Sequence, residues 1–285
     1  MGDSEDLQRY VGRTVAEYHD LITAVQMQKM SATLDREDPV PKEGDPVPPA
    51  WHHAYFPRLP LTRALGPDGV IKVKNWPDDP MLPRRMFIAS RIRYYKPLRI
   101  GDRARWVTEL VGLKVKEGRS GKSVIHSYRH TISNSQGVAL VEEWDSMDRE
   151  GAKGKPNVHS PGQPAPTGAA WEKTVNVNSV MLFRYSAVTF NPHRIHYDYP
   201  YATQTEGYPA LLLHGPLTAT LLSDLARDNN PRVTMTAFEM RARLPLFSDR
   251  PFRIMGRPRD DRKVCDLWAV TPENTIAMEA FATFT

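Results

Sequence analysis

The feature that most constrains this chain is a break in its pattern. Residues Gly151 to Ala170, GAKGKPNVHSPGQPAPTGAA, are rich in proline, glycine and small side chains and carry no apolar periodicity. Such a stretch suits neither a helix nor a sheet ladder and reads as a linker. The 285 residues then divide into 1–150 and 171–285, each of ordinary domain size. Whatever the chain folds into, it is built from two comparable halves.

Each half carries the same order of signals. In the first, Thr23 can cap a helix running to Leu34, with Val25, Met27 and Met30 as its apolar positions. The proline-dense passage DPVPKEGDPVPPAW follows and excludes regular structure. Runs rich in Val, Ile, Tyr and Trp then predict strands over Met86–Tyr95, Ala104–Val115, Ser123–Ile132 and Val138–Asp145. Gly118–Gly121 and Asn134–Gly137 supply the hairpin turns between them. In the second half, Leu217, Leu221, Leu222 and Leu225 predict a helix over Pro216–Arg227, opened by Gly215 and Pro216. Strands are expected at Val233–Leu244, Phe252–Pro258, Val264–Val270 and Thr275–Phe284.

A short echo supports duplication. Tyr94-Tyr95-Lys96-Pro97-Leu98 leads to Gly101-Asp102, while Ala242-Arg243-Leu244-Pro245-Leu246 leads to Ser248-Asp249. Both read as a strand that breaks at a proline and turns at an acidic residue. A helix followed by an antiparallel meander, occurring twice, is an α+β pattern and fits a double hotdog, in which a long helix is wrapped by a sheet.

Charge and cysteine usage remove several functions. The 38 basic and 33 acidic side chains give a net charge of +5 with no like-charge block, so a nucleic-acid partner is not expected. Cys265 is the only cysteine; it sits in a strand-like run and reads as a buried, inert thiol. No apolar run approaches the roughly 18 residues of a membrane span. The acidic N-terminus resembles neither a secretory signal nor an Arg-rich transit peptide. The expectation is a soluble, cytoplasmic chain without a membrane partner, with a mitochondrial location left open for a eukaryotic source.

The densest polar segment is Thr189-Phe190-Asn191-Pro192-His193-Arg194-Ile195-His196-Tyr197-Asp198. Such a stretch makes a poor core element and a good functional loop, although a polar turn bonded to its own backbone would use the same residues. Downstream, the apolar run Pro209–Leu213 enters the Leu-rich helix through His214-Gly215. A helix start offers free N–H groups and partial positive charge, as a thioester oxygen requires when it becomes an enolate.

This loop resembles the hydratase motif Ser-Gly-Asp-x-Asn-Pro-Ile-His-x-Asp of the MaoC-like R-specific enoyl-CoA hydratases. The resemblance lays the motif's serine on Thr189, its catalytic aspartate on Asn191, its catalytic histidine on His196 and its last aspartate on Asp198. It also implies that the Gly215 N–H binds the thioester oxygen, with His214 beside it. Phe190, Asn191 and His193-Arg194 depart from the pattern. In this form the loop is similar to a narrower branch: mesaconyl-C4-CoA and itaconyl-CoA hydratases and the mitochondrial hydroxyacyl-thioester dehydratases. Tyr10–Thr14, Ala32–Asp35, Pro48–His52, Gly66–Gly69, Arg84–Met86 and Lys116–Gly121 recur in that branch, so the resemblance spans nearly the whole chain.

The implied activity is water addition to, or removal from, the C=C bond of an acyl thioester. The first half would face substrate and the second would carry catalysis. An amide does not titrate near neutral pH, so Asn191 can hold water but not trade its proton. His196 is left as the general acid–base of the motif. No cofactor is implied beyond the CoA or carrier thioester of the substrate itself. The partners expected are an acyl-CoA and a second copy of the chain, as a homodimer.

Other readings use the same residues. His193, His196 and Asp198, joined by His52-His53 or by His126 and His130, could ligate a metal, but the spacing fits no named motif and no metal is expected. Ser186 lacks a nucleophile elbow. His193 reads as a structural histidine. Arg194 could bind a substrate carboxylate, bind a CoA phosphate, or fold over its own loop. A non-catalytic thioester binder would need neither Asn191 nor His196.

Overall fold

Alternating burial along long strands builds a single sheet. The computed structural model describes residues 8–70, 84–118, 121–150 and 162–285. The first half contributes β1 (Thr14–Leu21), α1 (Ala24–Thr33), β2 (Arg84–Tyr94), β3 (Arg103–Gly118), β4 (Gly121–Asn134) and β5 (Gly137–Arg149). The second contributes β6 (Trp171–Val175), α2 (Ser179–Val188), α3 (Gly215–Asp228), β7 (Met235–Ala242), β8 (Phe252–Pro258), β9 (Val264–Val270) and β10 (Ile276–Phe284). All ten strands are antiparallel, in the order β1-β3-β4-β5-β2-β7-β10-β9-β8-β6.

That order is one motif used twice. From each outer edge to the centre it runs β1-β3-β4-β5-β2 in the first half and β6-β8-β9-β10-β7 in the second. The halves join where β2 meets β7, from Ala89 opposite Arg241 to Arg93 opposite Ala237. The echo seen in the sequence falls at the ends of these two seam strands. Tyr95 and Lys96 N–H both donate to the Ala139 carbonyl, and Arg243 and Leu244 N–H both donate to Ala277. Four residues past each proline the chain turns left-handed, at Gly101 (φ 97°) and at Asp249 (φ 62°). Both turns donate back to the residue two before a helix, Ile22 and Val177 respectively.

The helices pair differently from the sequence expectation. The partner of α1 is α2, not α3: each follows an edge strand, and each ends with a left-handed residue, Asp35 (φ 55°) and Phe190 (φ 51°). The next N–H closes the same bond in both, from Arg36 to the Ser31 carbonyl and from Asn191 to the Ser186 carbonyl. Between α1 and β2, the described residues hold only short 3-10 turns, at Trp51–Ala54 and Thr62–Ala64. The long central helix belongs to the second half alone. It starts at Gly215-Pro216, where proline's missing N–H costs nothing, and packs against β7 to β10.

Three elements, β1, β6 and α2, were not read from the sequence. The first two are polar edge strands with mostly solvent-accessible residues, so their apolar alternation is faint. In α2, Val, Phe and Tyr imitate a strand, and the N-cap is Asn178, whose Oδ1 accepts from Met181 N–H at 2.9 Å. At α1 the N-cap is Thr23 as expected, but its side chain makes no capping bond.

One apolar core runs through both halves, from Ile22, Met30 and Trp51 to Leu182, Leu217 and Phe252. Trp51 Nε1 donates across the boundary to Asp224 Oδ1 of α3 at 3.1 Å. Cys265 is fully buried in that core, and burial pushes its thiol pKa up, as an inert thiol requires. Much of the expected Gly151–Ala170 linker and the tip of the Gly118–Gly121 turn lie outside the described residues. At the linker's far end Pro164 bridges to Thr275, which ties it to the second half. Among the described residues, no helix is long and apolar enough to cross a membrane.

Candidate active site

The polar loop is positioned by what precedes it. Thr189 caps the C-terminus of α2, and its Oγ1 donates back to the Tyr185 carbonyl at 2.7 Å. The left-handed turn at Phe190 then reverses the chain. Asn191 and His193 follow, and His196 ends a 3-10 turn from Arg194. Asn191 Oδ1 accepts from the His193 N–H at 3.0 Å, which fixes the amide's orientation.

His196 is 7% exposed. Its Nδ1 lies 2.7 Å from the Leu212 carbonyl. A carbonyl can only accept, so Nδ1 carries the proton and Nε2 keeps its lone pair. Burial, followed by the neighbouring His193, lowers the His196 pKa to about 3. The ring is therefore a neutral base with a defined free nitrogen. It stacks on His214 with centroids 3.6 Å apart. His214 is held in turn by Ser186 Oγ, 2.9 Å from its Nε2.

Ser186 and His214 have the geometry of a nucleophile–base pair but no orienting acid. His214 Nδ1 is buried without a partner among the described residues. The pair supports the stack rather than a triad.

Gly215 heads α3, so its N–H belongs to the first turn, which has no acceptor inside the helix. It is also a point of close approach: a Cβ here would stand 2.6 Å from Phe87 Cδ1 of β2. Thr189, Asn191, His193, His196, His214 and Gly215 all line one cavity of about 950 Å³, on the scale of a small-molecule pocket. First-half residues form much of the remaining wall, among them His53, Phe87, Trp106, His130 and Trp144.

Arg194 and Asp198 serve the loop in this structure. Arg194 Nε and a terminal nitrogen contact Asp198 Oδ2 at 2.9 and 2.7 Å, while its Nη1 donates to the Pro67 carbonyl at 2.8 Å. Its guanidinium lies 4.2 Å over the Tyr201 ring, and it does not line the cavity. Asp198 Oδ1 accepts from the Tyr201 N–H at 3.0 Å. The first-half turn Gly66–Gly69 abuts the loop: Asp68 accepts the Arg194 N–H at 2.8 Å, and a Cβ on Gly69 would fall 2.1 Å from the Pro192 carbonyl oxygen. Sequence reasoning could not supply this brace, since its partners lie more than a hundred residues apart.

The motif does not assemble as a metal centre. His196 Nδ1 is taken by Leu212 and Asp198 by Arg194 and Tyr201. Among the described residues, the group that converges is His52, His53 and Glu142.

Comparison with known proteins gives the family and the fold. The family of hydroxyacyl-thioester dehydratase type 2 matches residues 50–248. Mesaconyl-C(4)-CoA hydratase of Chloroflexus aurantiacus is 39% identical over 278 residues, which cover 97% of each chain. Among solved structures, HtdX of Mycobacterium tuberculosis aligns with a TM-score of 0.64 at 18% identity, covering 93% of this chain and 99% of HtdX. A second M. tuberculosis protein, described as a double hotdog, aligns with a TM-score of 0.52 at 14% identity, covering 98% of this chain and 90% of its own. The fold is a double hotdog, as the repeated meander led us to expect.

Proposed function

This chain belongs to the hydroxyacyl-thioester dehydratase type 2 family and is a hydro-lyase of acyl thioesters; we propose that it hydrates an enoyl-CoA bearing a second carboxylate, such as mesaconyl-C4-CoA, with His196 and Asn191 at the reacting carbons. One observation carries the assignment: the Leu212 carbonyl fixes the His196 tautomer, leaving a neutral Nε2 in the cavity that Asn191 and Gly215 also line.

In this mechanism Asn191 holds a water by hydrogen bonding, and His196 Nε2 accepts its proton as the oxygen attacks the β-carbon. Electrons move onto the thioester oxygen, which the Gly215 N–H and the α3 N-terminus stabilise as an enolate. The imidazolium then returns the proton to the α-carbon. The hydroxyl and hydrogen add to the same face, because one imidazole handles both transfers. The reverse sequence is dehydration. These steps use two side chains, the backbone at the α3 N-terminus and water, and CoA enters only as part of the substrate.

The carboxylated substrate is supported by the relative that hydrates mesaconyl-C4-CoA at 39% identity. A second reading, dehydration of 3-hydroxyacyl chains on a carrier protein, is favoured by the family's description. Purified protein should be assayed for hydration of mesaconyl-C4-CoA, itaconyl-CoA and crotonyl-CoA, and for dehydration of 3-hydroxyacyl chains on acyl carrier protein and on CoA. The proposal expects the highest kcat/KM with a carboxylated enoyl-CoA. A preference for crotonyl-CoA would overturn the carboxylated substrate, and turnover only on the carrier protein would replace the proposal with the second reading.

A further inference from the structure

A second buried polar group lies in the first half, away from the hydratase motif. His52 and His53 come from the 3-10 turn Trp51–Ala54, and Glu142 lies within β5. Glu142 is 0% exposed, and His52 is 1% exposed. Among the described residues, no lysine or arginine pairs with this carboxylate; its basic neighbours are His52 Nε2 at 3.2 Å and His53 Nε2 at 3.5 Å. A carboxylate removed from water needs a countercharge. The protein's own bonds also leave the cluster incomplete, since His53 Nε2 is buried without a hydrogen-bond partner.

We propose that His52, His53 and Glu142 form a binding site for a divalent ion of the zinc class. The ligand types are right: two imidazoles and a carboxylate are borderline donors that suit zinc or cobalt. The spacing is right as well. Bonds of about 2.0–2.2 Å set the edges of a tetrahedron at roughly 3.3–3.6 Å; His52 Nε2 lies 3.2 Å from Glu142 Oε2 and His53 Nε2 lies 3.5 Å from the other oxygen, Oε1, so the carboxylate meets one imidazole with each oxygen. All three ligand atoms lie within 4.8 Å of one another. Ser90 Oγ donates to Glu142 Oε1 and orients the carboxylate from behind, as outer partners do at metal sites. His53 lines the large cavity, so a water or a substrate atom can take the fourth position from that side. The ion would supply the countercharge that Glu142 lacks and occupy the vacant nitrogen of His53.

The test uses the untagged full-length chain, stripped with a chelator and titrated with Co²⁺, then with Zn²⁺. The site should bind one equivalent, give the visible absorption of a low-coordinate Co²⁺, and lose it as Zn²⁺ displaces the cobalt. At about a hundred times Kd, Zn²⁺ should raise the melting temperature by roughly 5–10 °C. His53→Gln and Glu142→Gln should weaken binding by at least about 10-fold. No uptake of Co²⁺ or Zn²⁺ by the wild type would overturn the site and leave an imidazolium as the countercharge. Equal binding in folded variants would overturn it too. If both variants fail to fold, X-ray absorption of the Zn²⁺-loaded wild type decides: a shell of two imidazole nitrogens and one carboxylate oxygen supports the site, and any other shell refutes it. None of these readouts depends on turnover, so the hydratase reading stands or falls separately.

Discussion

At the scale of single residues, the proposed chemistry rests on one proton whose location is fixed by a backbone carbonyl. Because Nδ1 of His196 donates to Leu212, the ring cannot flip without losing a buried hydrogen bond. Replacing His196 with Ala should therefore lower turnover by at least about 10²-fold while the circular dichroism spectrum is unchanged; near-normal rates would remove His196 from the mechanism. The pH profile of kcat/KM for hydration is the finer test. Burial lowers the His196 pKa to about 3, so its basic form persists below pH 6.5, where an exposed histidine would already be half protonated. The acid limb should lie well under pH 6. In Asn191→Asp a carboxylate beside the ring favours the imidazolium and should move that limb to higher pH. An unmoved limb would mean that position 191 does not touch the reacting groups. Asn191, His196 and Gly215 could be singled out in the sequence because the motif is local, and the structure brings all three to one cavity. Ser186 was noticed and set aside as a nucleophile; its bond to His214 spans 28 residues and leaves no local signal.

At the scale of elements, duplication explains both what the sequence disclosed and what it hid. Of the ten strands, the eight with strong apolar alternation were legible; β1 and β6, as polar edges, were not. The equivalence of α1 and α2 was hidden because the first-half segment after α1 has diverged into a proline-dense passage without the motif. Arg36 stands there in the place that Asn191 holds after α2. The first half keeps the scaffold without the motif and braces the motif loop through the Gly66–Gly69 turn. This gives Arg194 a bracing role that can be measured. Arg194→Leu should reduce kcat/KM for mesaconyl-C4-CoA and crotonyl-CoA by the same factor, between about 10- and 100-fold, as expected for a displaced loop. A loss confined to the carboxylated substrate would instead show Arg194 reaching that carboxylate. Gly69→Ala should have the same unselective effect, since its Cβ meets the Pro192 carbonyl and φ of 84° costs an L-residue about 1–2 kcal/mol.

At the scale of the whole molecule, the price of burying so much imidazole is sensitivity to acid. His52, His130, His196 and His214 are buried and His193 is half-buried, and desolvation lowers the pKa of His52 and His193 to about 4, that of His130 and His196 to about 3 and that of His214 well below 6.5. In the unfolded chain each takes a proton near pH 6.5. Between about pH 6.5 and 4 the unfolded state thus binds up to five protons that the folded state refuses, and stability falls with pH. Asp224 acts in the opposite sense. Burial in α3, opposed by Arg227 and Arg36, raises its pKa to about 6, so the folded state holds a proton that the unfolded carboxylate releases. Five sites against one leave a net excess of four in the unfolded state. The slope is then on the order of 5 kcal/mol per pH unit around pH 5. Urea unfolding at pH 7, 6 and 5 should show stability falling between the first two and more steeply to the third. His193→Gln should flatten that fall by about a quarter and, because His193 also lowers the His196 pKa, should move the acid limb to higher pH. Equal stability at pH 7 and pH 5 would mean that these rings are protonated in the fold, and the neutral base assigned to His196 would go with them.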